Sequence, residues 1–298
     1  MSSTRRFTTG LLQPGWRESH RAIDGVTLHV VDAGPVDGPV VILLHGFPEF
    51  WWAWRYQIDP LAEAGYRVIV PDMRGYGESD PPQDVASYTL DTLVADVVAL
   101  ADAYGAERIH LVGHDWGAVI GWWLAARHPD RLRRVVLMAG PHPDVLAKQA
   151  LTHPTQALRS AYVAFFQLPL LPETALGSFD FLSLRTMMQA SGRSDTFEPG
   201  ALDHYVEAWR HSGSLTGMLN YYRALPLRFA GGTPARISPA TLILWGSDDR
   251  FLELHVAEAS LDLCDTGRLQ VLEGASHWLH LEQPERVASV VSGWLATT

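Results

Sequence analysis

Short runs of branched apolar residues recur along the chain at regular intervals. Val26–Val31 follows Asp24-Gly25, a strong turn signal, so two strands are expected around that turn. Pro39–Leu44, bounded by Gly38 and Gly46, is a near-continuous apolar run of the kind that suits a strand buried on both faces of a parallel sheet. The same signature returns at Arg67–Val70, Ile109–Val112, Val135–Met138, Thr241–Leu244 and Leu269–Leu272. Between these runs the apolar period lengthens to that of helices, over Trp51–Ala64, Thr89–Tyr104, Gly117–His128, Leu254–Cys264 and Pro284–Leu295. Such alternation predicts an α/β fold, a mostly parallel sheet flanked by helices. One interval breaks it. From about Pro141 to Ser238 no buried-strand pattern occurs, only helical stretches rich in Leu, Phe, Tyr and Ala, cut by Pro154, Pro169, Pro172, Gly192 and Gly200. The expected division is a core domain of residues 1–140 and 237–298 with an inserted helical cap, 141–236.

The chain's 298 residues can bury roughly three quarters of the surface they would expose unfolded, ample for one large core. The net charge is −10, and no Lys/Arg run is longer than a pair such as Arg133-Arg134, which argues against nucleic acid as a partner. Cys264 is the only cysteine, so no intrachain disulfide forms and a cytoplasmic setting is expected; it reads as a buried thiol within the apolar helix Leu254–Cys264. Residues 1–20 lack the apolar stretch of a signal peptide. The longest apolar stretch, Gly117–Ala126, is far short of the ~20 residues that span a bilayer, so no membrane partner is expected. Monomer and homodimer are both open.

Gly113-His114-Asp115-Trp116-Gly117 lies between a strand and a helix. Small residues two before and two after a central polar residue suit a sharp strand-to-helix turn, which lifts the central side chain over the carboxyl ends of the strands. Such a turn also aims helix N–H groups at the same place. An isolated Asp between glycines would be a solvated turn residue; here a His and an acid follow in order. The chain resembles the α/β-hydrolase superfamily over nearly its whole length, with Asp115 where most members carry Ser or Cys. A carboxylate that attacks saturated carbon makes an ester, which water must then cleave. That chemistry suits epoxides and alkyl halides.

By the resemblance, the acid is Asp249 in Gly246-Ser247-Asp248-Asp249-Arg250, with Asp248 as fallback and Asp144 a weaker candidate. His277, in Gly274-Ala275-Ser276-His277-Trp278 after the last strand, is the implied general base. His45-Gly46-Phe47-Pro48-Glu49 resembles the oxyanion-loop motif, so the Phe47 and Trp116 N–H groups are the implied oxyanion hole. His45 and His114 are read as structural.

Epoxide and halide differ in what leaves. A halide departs as a stable anion, whereas an opened epoxide leaves a basic alkoxide that needs a proton donor, for which Tyr is suited. Ala161-Tyr162-Val163-Ala164-Phe165-Phe166 and Leu219-Asn220-Tyr221-Tyr222-Arg223 look like the two cap-tyrosine segments of the soluble-type epoxide hydrolases, with Tyr162 and Tyr222 at the catalytic positions and Tyr221 as packing. Trp116, Phe47 and Trp278 are the implied substrate contacts. No cofactor is needed, and no His/Cys/carboxylate group has metal-ligand spacing. The expected activity is hydrolysis of a small epoxide to a vicinal diol. The alternatives are a haloalkane dehalogenase using Asp115 and His277, and a non-catalytic ligand-binding protein of the same fold.

Overall fold

In the computed structural model, residues 7–211, 213–227 and 235–297 are described. The apolar runs become strands for the reason their composition implies: β3 (Val40–Leu44) has no exposed residue, and a strand enclosed on both faces has no use for alternation. Together with β1 (Arg17–Ile23), β2 (Val26–Ala33), β4 (Arg67–Pro71), β5 (Ile109–His114), β6 (Leu132–Met138), β7 (Ala240–Gly246) and β8 (Gly267–Leu272) it forms an eight-stranded sheet, in the order β1-β2-β4-β3-β5-β6-β7-β8. β1 and β2 are antiparallel around Asp24-Gly25, β2 also runs antiparallel to β4, and every later pair is parallel.

The sheet is flanked by helices α1 (Ile58–Glu63), α2 (Leu90–Ala103) and α3 (Trp116–Arg127) from the first part of the chain. Between β6 and β7 lies a helical insert: α4 (Pro143–Thr152), α5 (Pro154–Arg159), α6 (Tyr162–Phe166), α7 (Leu171–Ser191), α8 (Ala201–Trp209) and α9 (Ser214–Arg223). After the insert come α10 (Leu254–Leu261), α11 (Leu279–Glu282) and α12 (Pro284–Leu295). The insert does not sit apart: Leu184, Met188, Tyr205, Trp209 and Tyr222 belong to the same buried cluster as the strand residues. No helix among the described residues is long and apolar enough to cross a membrane.

Two helical expectations need correction. Trp51–Ala64 is not one helix but a single tight turn, Trp51–Trp54, followed by α1. A three-residue period puts Trp51 and Trp54 on one side, and both are fully buried. Asp72 Oδ1 accepts the Trp51 N–H and the Gln57 side chain donates to the His280 carbonyl, so side chains from elsewhere fix the break. The second helix ends at Leu261, not Cys264. Cys264 lies beyond it, half-buried, in a lone parallel bridge with Ile237.

Candidate active site

β5 delivers the chain to α3 through one residue, Asp115, whose φ of 48° and ψ of −113° are adopted rarely by any residue with a side chain. The flanking glycines make the turn possible. A Cβ on Gly113 would fall 2.3 Å from the Gly117 carbonyl oxygen, and one on Gly117 would fall 2.1 Å from that of Leu44. The Asp115 N–H donates to the Met138 carbonyl at 3.0 Å, and its own carbonyl starts α3 by accepting the Val119 N–H at 3.0 Å. The carboxylate is thereby raised above the carboxyl ends of β3, β5 and β6. Its Oδ1 accepts the Phe47 N–H at 2.8 Å, which leaves Oδ2 facing the cavity side and His277. Trp116 opens α3, with its indole edge-on to the Tyr222 ring at 5.0 Å.

His277 follows β8 and is held between two carboxylates. Its Nδ1 is 2.8 Å from Asp249 Oδ2, so Nδ1 carries the proton in that bond; Nε2 is 3.6 Å from Asp115 Oδ2, a long contact. Asp249 is itself pinned, because its Oδ1 accepts the N–H groups of Phe251 (2.8 Å) and Leu252 (3.0 Å). Burial disfavours a charged imidazole, but the charge of Asp249 and hydrogen bonding to Asp115 and Asp249 outweigh it and raise His277 to about 10. The fallback acids stand elsewhere. Asp248 is exposed and accepts from Ser247, and Asp144 lies in the first turn of α4, 3.9 Å from His142.

The insert brings the tyrosines. Tyr162 starts α6 and Tyr222 lies on α9, their rings 5.9 Å apart, and the Gln167 amide bridges the two helices by donating to the Tyr222 carbonyl at 2.8 Å. Burial first, and the nearby Asp115 charge second, raise Tyr162; burial and the neighbouring Tyr162 and Asp115 raise Tyr222 well above the usual phenol range. Both therefore stay protonated and can donate. Tyr221 turns the other way and gives its hydroxyl to the Arg74 carbonyl at 2.9 Å, as expected of a packing residue. Two cavities, of about 260 and about 600 Å³, adjoin Asp115, and both are lined by Asp115, Tyr162, Tyr222 and Phe251. Phe47, His277 and Trp278 line the smaller, Trp116 the larger. Both walls are mostly apolar, as ligand cavities of this size usually are.

The structure adds residues that the sequence pattern did not yield. Phe251 touches both cavities and packs on His277 at 5.0 Å. Its place two residues after Asp249 was the available signal. Leu176, Leu184 and Met187 line the smaller cavity from α7, with no signal beyond helical period. Behind His277 lies a buried network. Glu49 bonds His114 at 2.8 Å and His280 at 3.1 Å and accepts the Gly46 N–H at 3.1 Å, while His114 Nε2 bonds the His277 carbonyl at 2.9 Å. Burial opposes a charged Glu49, yet the two histidines hold its carboxyl well below the usual range; burial likewise pushes His280 down to about 4. The ligating atoms of Glu49, His114 and His280 lie within 4.8 Å of one another, a proximity hidden by their spacing in sequence. His45 bonds the Gly46 carbonyl and the Met73 N–H, both at 3.0 Å, so His45 and His114 spend their nitrogens on backbone and Glu49.

A family profile described as alpha/beta hydrolase fold matches residues 39–284. The AB hydrolase superfamily protein YfhM of Bacillus subtilis (strain 168) is 41% identical over 91% of this chain and 95% of its own length. Epoxide hydrolase A of Mycobacterium tuberculosis is 34% identical over 93% of this chain and 97% of its own. Among solved structures, a chain described among novel epoxide hydrolases of the alpha/beta hydrolases superfamily, from metagenomes of hot environments, superposes with a TM-score of 0.83 at 35% identity, covering 95% of this chain and 99% of that one. The strand–Asp115–helix turn, the sheet order and these likenesses agree: the chain belongs to the α/β-hydrolase fold family and, within it, to the epoxide hydrolase family.

Proposed function

We propose that this protein hydrolyses apolar epoxides to vicinal diols through a covalent ester on Asp115. The observation that carries the reading is a carboxylate with one oxygen held by the Phe47 N–H and the other left toward a cavity, where two protonated phenols and a histidine–aspartate pair meet.

Asp115 Oδ2 attacks one ring carbon, and the carbon–oxygen bond on that carbon breaks. Tyr162 and Tyr222 hold the ring oxygen and give the alkoxide its proton. His277, an imidazolium while Asp115 is charged, replaces that proton. Having given up that proton, the histidine is neutral when a base is required, and esterification has meanwhile removed the Asp115 charge and hydrogen bond that helped hold the proton on it. Neutral His277, with Nδ1–H kept on Asp249, takes a proton from water; the hydroxide adds to the ester carbonyl, and charge collects on Oδ1, where the Phe47 N–H already points. Collapse breaks the bond from the carbonyl carbon to the diol oxygen, which takes the proton of the newly added hydroxyl; the diol leaves, the Asp115 carboxylate is restored and His277 remains the imidazolium. The Trp116 N–H, at the first turn of α3, is the proposed second donor to that oxygen. Phe47, Trp116 and Trp278 would contact the substituents of the epoxide from the cavity walls.

The test is a single turnover of styrene oxide in ¹⁸O water with enzyme in excess. The first diol is expected to carry oxygen from Asp115, and the label to appear in that carboxylate. Direct transfer of water oxygen to the first diol would overturn the reading. Replacing both Tyr162 and Tyr222 by Phe should abolish diol formation; a wild-type protein that opens no epoxide yet releases halide, even without the two phenols, is a dehalogenase instead.

A further inference from the structure

Between β7 and α10 the chain has no ladder or helix to hold it, yet this stretch, residues 247–253, carries Asp249. The core holds residues 247 and 248 through the Leu272 and Ala275 carbonyls, and Asp249 Oδ1 organises the next turn; from Asp249 onward the insert also grips the stretch. From Leu151 to Arg159 every residue is exposed but one: Gln156 is fully buried. A buried amide needs partners, and Gln156 has them. Its nitrogen donates to the Phe251 carbonyl and to Ser160 Oγ, both at 3.0 Å, and its oxygen accepts the Glu253 N–H at 2.9 Å. One turn further along α5, Arg159 Nη1 donates to the Asp249 carbonyl at 2.7 Å, with its Nε 3.4 Å from Glu253 Oε1. Thr155 adds a hydroxyl bond to Glu253 at 3.1 Å. Alternate residues of the stretch, 249, 251 and 253, are thus each gripped through their backbone by α5, which leads within three residues to Tyr162.

We propose that Gln156 and Arg159 are positioning residues: they hold the Asp249 carboxylate in line with His277 and couple it to the helix that presents Tyr162. This rests on the reading of Asp115 and His277 given above. The consequence is selective. Opening the epoxide uses Asp115 and the phenols, with His277 only resupplying their proton, whereas cleaving the ester needs a neutral imidazole oriented by Asp249 as its base, so loosening this grip slows chiefly the second step.

The test follows ester by intact-protein mass spectrometry after rapid mixing of styrene oxide with wild-type, Gln156→Leu, Arg159→Ala and Arg159→Lys proteins. In the Leu and Ala variants ester cleavage is expected to slow about tenfold or more, towards the roughly hundredfold cost of an ångström-scale misplacement, so that ester accumulates while its formation changes little. Arg159→Lys, which still offers a donor to the Asp249 carbonyl, should recover most of the cleavage rate. The Arg159 side chain is 37% exposed, so its replacement by Ala tests the idea even where Gln156→Leu folds poorly. Equal slowing of formation and cleavage, or unchanged kinetics in both variants, overturns the positioning role. Failure of the wild-type protein to form any ester overturns instead the reading on which it rests.

Discussion

At the scale of single residues, each group in the site has a distinguishable task. On the proposed mechanism Tyr162 and Tyr222 both hold the ring oxygen, so each Phe variant should lower kcat/KM for epoxide by about 10²-fold and the double variant by about 10⁴-fold, the range of general-acid contributions. Initial rates of diol formation measure this, and two single variants that behave as wild type would remove the phenols from the chemistry. His277→Gln keeps the carboxylate and the phenols but has no base. A stable mass increase equal to one epoxide, located on the peptide containing Asp115, is expected; its absence after long incubation would contradict a two-step reaction. Asp115 and His277 stand out in the sequence because each follows a strand at the sheet's carboxyl edge, but Asp248 and Asp144 follow strands too, so Asp249 rested on the resemblance, and only its contact with His277 Nδ1 sets it apart from them. Glu49 and His280 do not stand out, because their bond joins residues 231 apart and only the folded chain brings them together.

At the scale of elements, the turn from β5 into α3 is closely built against β3. Gly117→Ala would drive a methyl group to 2.1 Å from the Leu44 carbonyl, backbone that cannot rotate away. The loss of stability should reach about 3 kcal/mol, the upper part of the usual cost of overpacking. Urea unfolding of the Ala variant measures it, and a loss below the error of the method would mean that β3 and α3 can part without cost. Strands were legible because burial on both faces leaves a continuous apolar run, a local signal. Trp51–Ala64 misled because its apolar spacing fits a helix, whereas the conformation is set by Asp72 and His280 from distant parts of the chain. The insert was legible as helical, but not how its helices meet: α6 and α9 are joined by Gln167, and α5 reaches the Asp249 stretch through Gln156, contacts written in no period.

At the scale of the whole molecule, buried histidines set how stability depends on pH. His277 is raised to about 10, so the folded chain keeps a proton that the unfolded chain loses near 6.5; that stabilisation is complete below about 6.5 and is lost as pH rises through about 10. His110 and His280 act in the other direction. Burial lowers both to about 4, so the unfolded chain gains protons first as pH falls from about 6.5 to 4, and stability falls with it. Tm is thus expected to peak near pH 6.5, and the His277→Gln variant should show a shallower decline on the alkaline side, where the raised His29 still contributes, with the acid side unchanged; an identical alkaline slope in that variant would show that His277 does not contribute to it. The unequal cavities beside the nucleophile reach further, into the handedness of the product. Displacement from behind inverts whichever ring carbon is attacked, and a substituent that fills about 600 Å³ but not about 260 Å³ leaves an unsymmetrical epoxide a single way to lie. One carbon is then inverted and the other retained. From an enantiopure epoxide with one bulky arm, a diol of one configuration should emerge, as chiral chromatography would reveal, whereas two small arms should give a mixture.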